Sequence, residues 1–253
     1  MQILPVPTGL LKKGDNLARI LSESMTFGDG DILAVSSKAV ATAEGAAIDL
    51  AKIAVTPEAE QWAKRCGRSA AFRQAILDET KRLNGIVLSG CKTAMLTELH
   101  PQGMEGSLLA PNAGLDQSNI AEGSAIGWPH DPVTSVHALR TQLQKRTGKR
   151  IAVLLTDSCC RPRRWGVTAF ALVVSGFDPL SSQIGKKDLF GNTLTMTQEA
   201  VADQLATAAN AVMGNANQSV PAALIREHGI PLSGFAGWVP GIAKEEDLFA
   251  GAF

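Results

Sequence analysis

The chain has 253 residues, 45% of them hydrophobic and 19% charged. That is enough apolar material for one large domain or two small ones, and it excludes global disorder. Lysine plus arginine equals aspartate plus glutamate at 24 each, so the excess positive charge of a dedicated nucleic-acid or anionic-membrane binder is missing.

No nucleic-acid or membrane partner is expected. No run approaches the ~20 apolar residues of a bilayer span. The opening stretch MQILPVPTGLLKK puts its lysines after its apolar residues, the reverse of a secretory signal. A cytoplasmic location is the expectation. Four cysteines are too few for a disulfide framework, and neither the adjacent Cys159 and Cys160 nor the isolated Cys66 and Cys91 have zinc-ligand spacing.

Helical and extended patterns then alternate. Leu17, Ile20, Leu21 and Met25 repeat at helical spacing. GDGDILAVSS reads as a turn followed by a buried strand. Thr56-Pro57 starts a helix that Gly67 ends, and Ser69 caps a second one running to about Leu83. GIVLSG, AMLTEL and GSLLAP read as strands. Asp131-Pro132 opens a helix that closes in KRTGK, with Gly148 at the stop. Ile151–Thr156 is the most apolar strand, and Ala169–Ser175 follows it after a basic turn. Thr197–Met213 reads as an alanine-rich helix closed by Gly214, and Pro221–Arg226 as a last strand. Residues 229–253 form a Gly/Pro-rich tail without a period. The fold class is mixed α/β, with both faces of the main sheet covered.

Four segments could carry chemistry. In Asn112–Asn119 (NAGLDQSN), Gly114 permits a tight turn, and Asp116 and Asn119 offer a carboxylate and an amide. A hard cation would use the first and a ligand the second; the same residues also suit a plain Asx turn. Thr156-Asp157-Ser158 closes the most buried strand, at the edge where open α/β sheets bind ligands. Asp157 there is either a cation partner for Asp116, with the Ser158 hydroxyl adding an oxygen, or an ordinary strand exit. Arg161, Arg163 and Arg164 place three guanidiniums in four residues, an anion clamp if they converge and a solvated turn if they do not. Ser36-Ser37-Lys38 suits phosphate at a strand end, although the P-loop spacing is absent. Cys159 and Cys160 have no histidine nearby in sequence, and packing is their simpler role.

Taken in order, GDNL, VSSKAV…EG, NAGLDQSN, LLTDSCCRPRRWG, KKDLFGNTL and AVADQL…AVMG make the chain resemble the coenzyme F420-0:L-glutamate ligases, also called F420-0:gamma-glutamyl ligases, from about Pro7 to Arg226. The resemblance implies a mixed α/β fold of its own kind, neither Rossmann nor P-loop. It implies one catalytic unit over residues 1–253, built of two intertwined lobes. It implies a GTP-dependent enzyme, with ATP an alternative, that uses two divalent cations, Mg or Mn. The reaction joins a small-molecule carboxylate acceptor to the amine of L-glutamate. Asp116 and Asp157 would hold one metal and Ser158 a second. Ser36, Ser37, Lys38, Asn119 and the loop from Met213 through Gly214 and Asn215 would contact the nucleotide. Arg161 and Arg164 would clamp phosphate or substrate carboxylate as the catalytic cations. The family assembles as homodimers with the active site near the interface.

The chemistry suits these residue types. A carboxylate attacking a γ-phosphate brings two anions together, and cations with guanidiniums remove the repulsion. The acyl phosphate that results is displaced by an amine, so no protein nucleophile is needed. The sequence departs from the family pattern at Ser158, usually threonine, and at Thr42, usually lysine. GMEGSLL replaces a His-Gly, and Gly166-Val167-Thr168 replaces Gly-Gln-Thr. Asn215–Gln218 is neutral where the family loop is often acidic. Three other readings remain open: a family member acting on another carboxylate or amine, a non-catalytic nucleotide- or metal-binding homologue, and a thiol enzyme using Cys159 or Cys160.

Overall fold

The two most apolar stretches, β2 (Ile32–Ser36) and the start of β8 (Ala152–Cys160), lie side by side in a computed structural model that describes residues 1–251. The other strands are β1 (Gln2–Val6), β3 (Ile48–Asp49), β4 (Ile86–Gly90), β5 (Met95–Leu99), β6 (Leu108–Pro111), β7 (Ser124–Ala125), β9 (Val167–Phe177), β10 (Ser181–Ser182), β11 (Gln198–Glu199), β12 (Ala222–Arg226) and β13 (Leu232–Trp238). The α-helices are α1 (Leu17–Ser24), α2 (Ser37–Glu44), α3 (Pro57–Cys66), α4 (Ala70–Arg82), α5 (Pro132–Thr147) and α6 (Val201–Met213). The main sheet has six strands in the order β1-β12-β2-β8-β9-β13. Only β2 and β8 pair in parallel; the other neighbours are antiparallel.

Strand burial explains the sheet's place between two layers. Alternate residues of β2 enter opposite cores: Leu33 and Val35 on one side, Ile32 and Ala34 on the other. A strand buried on both faces must read as a continuous apolar run, as ILAV and AVLL do. The first core takes Leu17 and Leu21 of α1 and Val136, Leu139 and Leu143 of α5. The second is closed by α6, whose Ala202, Leu205, Ala206, Ala209 and Met213 recur at helical spacing. Three of these are alanines, so the helix lies close against the sheet. Each fully buried Leu or Ile contributes about 1.5–3 kcal/mol. A smaller antiparallel sheet, β4-β5-β6, with α3 and α4 joins the first core through Met95, Leu99, Phe72 and Ile76.

The helices begin where their caps dictate. The side chains of Asn16, Thr56, Ser69 and Asp131 accept from the backbone amides of Arg19, Ala59, Phe72 and Thr134. Pro57 and Pro132 occupy first-turn positions whose amides would have no partner. Gly148 ends α5 in the left-handed conformation, its amide donating to Gln144.

Three segments differ from the sequence reading. The strand placed at Ile151–Thr156 continues to Cys160, because β8 and β9 run on together as a two-stranded ribbon after β2 has ended opposite Thr156. The helix placed at Thr197–Met213 starts at Val201, since Gln198–Glu199 pairs with Ser181–Ser182. The tail read as irregular over 229–253 contains β13, paired to β9 at the sheet edge. A register shift between Leu232 and Ala236 breaks the alternation of period 2 that marks a strand in sequence. Its last two residues, 252–253, lie outside the described residues.

Candidate active site

Parallel pairing of β2 and β8 brings their C-terminal ends to one edge, with Ser36 opposite Thr156. Beyond Ser36 the chain enters α2 at Ser37 without an intervening loop. Beyond Thr156 stands Asp157, where the ribbon leaves the sheet. The loop after α6 returns to the same edge, because the Ser36 amide donates to the Pro221 carbonyl at 2.8 Å. Asn119 reaches that loop from the opposite side, its Nδ2 donating to the Ala216 carbonyl at 3.0 Å. Ser36, with Ser37 and Lys38 after it, and Asn119 therefore both touch the loop that follows Met213, Gly214 and Asn215.

Lys38 is the electrostatic centre. Its Nζ forms an ion pair with Asp116 Oδ2 and donates to Ser118 Oγ at 3.1 Å. The Ser118 hydroxyl also donates to Asp116 Oδ2. Asp116 Oδ1 accepts the Gln117 amide at 2.7 Å and the Ser118 amide at 3.2 Å. Its own backbone is tied to Ile126 by two bonds of 2.8 and 2.9 Å. Burial pushes the Asp116 carboxyl up, but the Lys38 ammonium, the Ser118 hydroxyl and the Gln117 amide outweigh it and hold it at about 2.

Asp157 is the opposite case. Its Oδ2 accepts from Trp128 Nε1 at 2.6 Å and its Oδ1 from the Ser158 amide at 2.8 Å. Burial raises its pKa, and the Trp128 bond, the charge of Lys38 and the approach of the Ser37 hydroxyl only reduce that rise. The Lys38 ammonium lowers both carboxyls, by its ion pair at Asp116 and by its charge alone at Asp157, 41 positions away in sequence. Ser37 Oγ is fully buried and lacks a hydrogen-bond partner of good geometry.

Trp128 connects the two halves of the site. Trp128 is buried, but it also donates to Asp157, and it meets Trp238 of β13 edge-on at 6.2 Å between ring centroids. Its indole lies against Gly114, where an added Cβ would sit 2.5 Å from Trp128 Cε2. Gly114 has φ +77°, and Asn112 and Ala113 before it are also left-handed at +53° each. Glycine and asparagine adopt that conformation readily, but for Ala113 it costs about 1–2 kcal/mol, so the surrounding structure has to enforce this turn.

The arginines do not join this cluster within the chain. Arg161, Arg163 and Arg164 are exposed at the tip of the β8–β9 ribbon, beside a fully exposed Trp165. Arg161 is four residues beyond Asp157, on the order of 13 Å along an extended strand. Ser158 is exposed. Burial pushes the Cys159 thiol up to about 11 despite Arg161. A thiol held there stays protonated at neutral pH, which removes the physical basis for Cys159 as a nucleophile. A wide surface groove between Ser22–Phe27 and Arg146–Lys149 lies at the N-terminal ends of β2 and β8, the far side of the sheet from these acids.

The donors suit a hard divalent cation in kind: two carboxylates and neighbouring hydroxyls, all oxygen. Among the described residues no three or more His, Cys, Asp or Glu side chains cluster as a ready-made metal cage. Asp116 instead pairs with Lys38 and Asp157 with Trp128, so the donor types would fit a cation shared with a polyanionic ligand.

The chain belongs to a family of ligases, the F420-0:gamma-glutamyl ligases, whose family model matches residues 5–227. Over 251 residues, 98% of this chain and 96% of the relative, it is 36% identical to the coenzyme F420:L-glutamate ligase of Methanocaldococcus jannaschii. It is 37% identical over 227 residues to the enzymes of that name from Archaeoglobus fulgidus, covering 89% of this chain and 87% of the relative, and Methanopyrus kandleri, covering 89% and 86%.

Two predictions follow from the geometry. Gly114→Ala forces Trp128 off Asp157 and adds a strained φ. Urea unfolding should show a loss of about 2–4 kcal/mol, with a changed near-ultraviolet dichroism of the indoles; an unaltered spectrum and stability would contradict the contact. Asp116 has a depressed pKa, so its ion pair stabilises the fold above about pH 4 and is lost as pH falls toward 2. In metal-free buffer Asp116→Asn lacks that contribution. Its stability should decline less steeply than the wild type between pH 4 and 2, measured by thermal unfolding; parallel curves would refute the assignment.

Proposed function

We propose that this protein is a nucleotide- and metal-dependent ligase that joins a substrate carboxylate to the amine of L-glutamate in a gamma-glutamyl-type amide bond, as in elongation of coenzyme F420. The observation that supports the proposal is the Lys38–Asp116 ion pair at the C-terminal edge of the parallel strand pair, where Asp157 follows Thr156. Family membership and relatives named for coenzyme F420 and L-glutamate support the substrate class.

In this reading Asp116 and Asp157 hold a divalent cation, Mg or Mn, with Ser158 contributing to a second. Such ions supply charge neutralisation between the attacking carboxylate and the phosphates. The amides at the start of α2 and the Ser36 hydroxyl receive the phosphate chain, because a helix N-terminus presents unpaired N–H groups to anions; the buried Ser37 hydroxyl joins them only if the site opens. Lys38 is released from Asp116 and follows the phosphate charge. Asn119 and the backbone of Met213, Gly214 and Asn215 position the nucleotide, GTP with ATP as the alternative. Arg161 and Arg164 close on phosphate or substrate carboxylate from the ribbon tip. The carboxylate oxygen attacks the γ-phosphorus, nucleoside diphosphate leaves, and glutamate's amine displaces phosphate from the acyl phosphate. Holding three reactants together supplies the orientational part of the acceleration.

Purified protein given F420-0, L-glutamate, GTP or ATP, and Mg²⁺ or Mn²⁺ should release nucleoside diphosphate and phosphate and yield a product heavier by one glutamyl residue. Asp157→Asn should reduce kcat/KM by at least about 100-fold, at or beyond the loss typical of outer-shell partners of a metal. If no acceptor is elongated with either nucleotide, the reading fails. The neutral Asn215–Gln218 loop favours a second reading, a non-catalytic binder; Gln218 already accepts the Ala216 amide at 2.8 Å. Tight nucleotide binding without turnover would select it.

The working unit in this reading is a homodimer. Trp165, Leu189, Phe190 and Met196 are between 85 and 105% exposed, all on excursions from the main sheet, and a partner chain that covered them would remove this apolar surface from water. Light scattering should give the mass of two chains, and Phe190→Ser combined with Leu189→Ser should give one. An unchanged dimer in that variant, or a wild-type monomer, would remove these residues from the interface.

A further inference from the structure

Arg73 is the largest of the fully buried side chains, on α4 and outside the site. Among the described residues no carboxylate pairs with it. An isolated charge in a protein interior costs several kcal/mol unless hydrogen bonds replace its water. Its guanidinium finds four acceptors on three chain segments. Nε donates to the Gly67 carbonyl at 3.0 Å, and Nη2 to the Cys66 and Thr93 carbonyls at 2.5 and 3.2 Å. Nη1 donates to Asn112 Oδ1 at 3.1 Å, an oxygen that also accepts the Met95 amide at 3.0 Å. A planar fork with five donors is the side chain able to satisfy such a set.

Asn112 is the first of the three left-handed residues leading to Asp116. The second, Ala113, is held by its amide donating to Thr97 Oγ1 at 3.2 Å, while the Thr97 hydroxyl donates to the Ala110 carbonyl at 2.7 Å. The third, Gly114, lies under Trp128, which donates to Asp157. A continuous set of contacts therefore runs from Arg73 through Asn112 and the turn to both acids. We propose that Arg73 is a positioning residue: by gripping Asn112 it fixes the strained turn that sets Asp116 and Asp157 relative to each other. This rests on the ligase reading for its catalytic consequence, but not for its geometric one.

Asn112→Ala cuts the link while leaving Arg73 its three backbone acceptors, and so avoids exposing a bare buried charge. Asn112→Asp keeps the Oδ1 acceptor and serves as the rescue. The first readout uses metal-free, substrate-free protein with 5-fluorotryptophan, the Trp128 ¹⁹F resonance being assigned with Trp128→Phe. Asn112→Ala and Arg73→Lys should shift that resonance, and Asn112→Asp should return it near the wild-type position. The second readout is Mn²⁺ binding and steady-state kinetics. Asn112→Ala should weaken Mn²⁺ binding and lower kcat by about 10–100-fold, the range for outer-shell partners, with KM for nucleotide changing less than threefold. A lowered thermal midpoint with unchanged resonance, Mn²⁺ affinity and kcat would make Arg73 a structural staple only and overturn the proposal. Wild-type protein that neither binds Mn²⁺ nor turns over would remove the ligase reading instead, while the ¹⁹F comparison still decides whether Arg73 positions the turn.

Discussion

One ammonium group organises the candidate site. Lys38 is paired with Asp116 and lies within electrostatic reach of Asp157, yet the two acids respond in opposite directions. Asp116 has lysine, hydroxyl and amide donors around it and is held ionised. Asp157 is deeper, its strongest specific partner is an indole N–H, and desolvation dominates. Two carboxylates around a single positive charge leave room for further positive charge, the electrostatic condition under which a polyanion and its counter-cations bind together. The placement of Lys38 follows from β2 entering α2 without a loop, which projects the side chain from the sheet edge over the end of the neighbouring parallel strand.

The acids are held by groups packed around them. Trp238 of β13 supports Trp128, Trp128 orients Asp157, and the absence of a side chain at Gly114 lets the indole approach. Arg73 and Thr97 hold the left-handed turn from the side of the small sheet. The backbone strain in Ala113 is of the kind that persists only where neighbours over-determine a conformation, and such places cluster at functional sites. Elsewhere the molecule fixes its strands more conventionally: Asp31, almost fully buried, takes a two-point bond from Arg226 and ties the start of β2 to the end of β12.

Local pattern carried much of the architecture. Capping side chains at Ser69 and Asp131 and prolines at 57 and 132 act within a few residues, so helix starts were legible. The double-sided burial of β2 and β8 was legible as unbroken apolar runs. The motif order identified the family, because six spaced segments together are far more specific than any one of them. The strand at 232–238 was hidden, since its irregular register erases alternation and its pairing partner is more than fifty residues away. The helix at 201–213 was read too long, because the two-residue pairing of β11 with β10 leaves no periodic trace.

The sequence by itself determined the family, the mixed α/β class, and which acids, hydroxyls and amides stand at loop positions, because these depend on residue type and on spacing along the chain. Only the tertiary structure decided that Trp128 serves Asp157, that Lys38 pairs with Asp116, that Arg73 reaches Asn112, and that the arginine loop projects beyond the acids within one chain. Those facts depend on contacts between residues far apart in sequence, and no local period encodes a hydrogen bond across 29 or 39 positions.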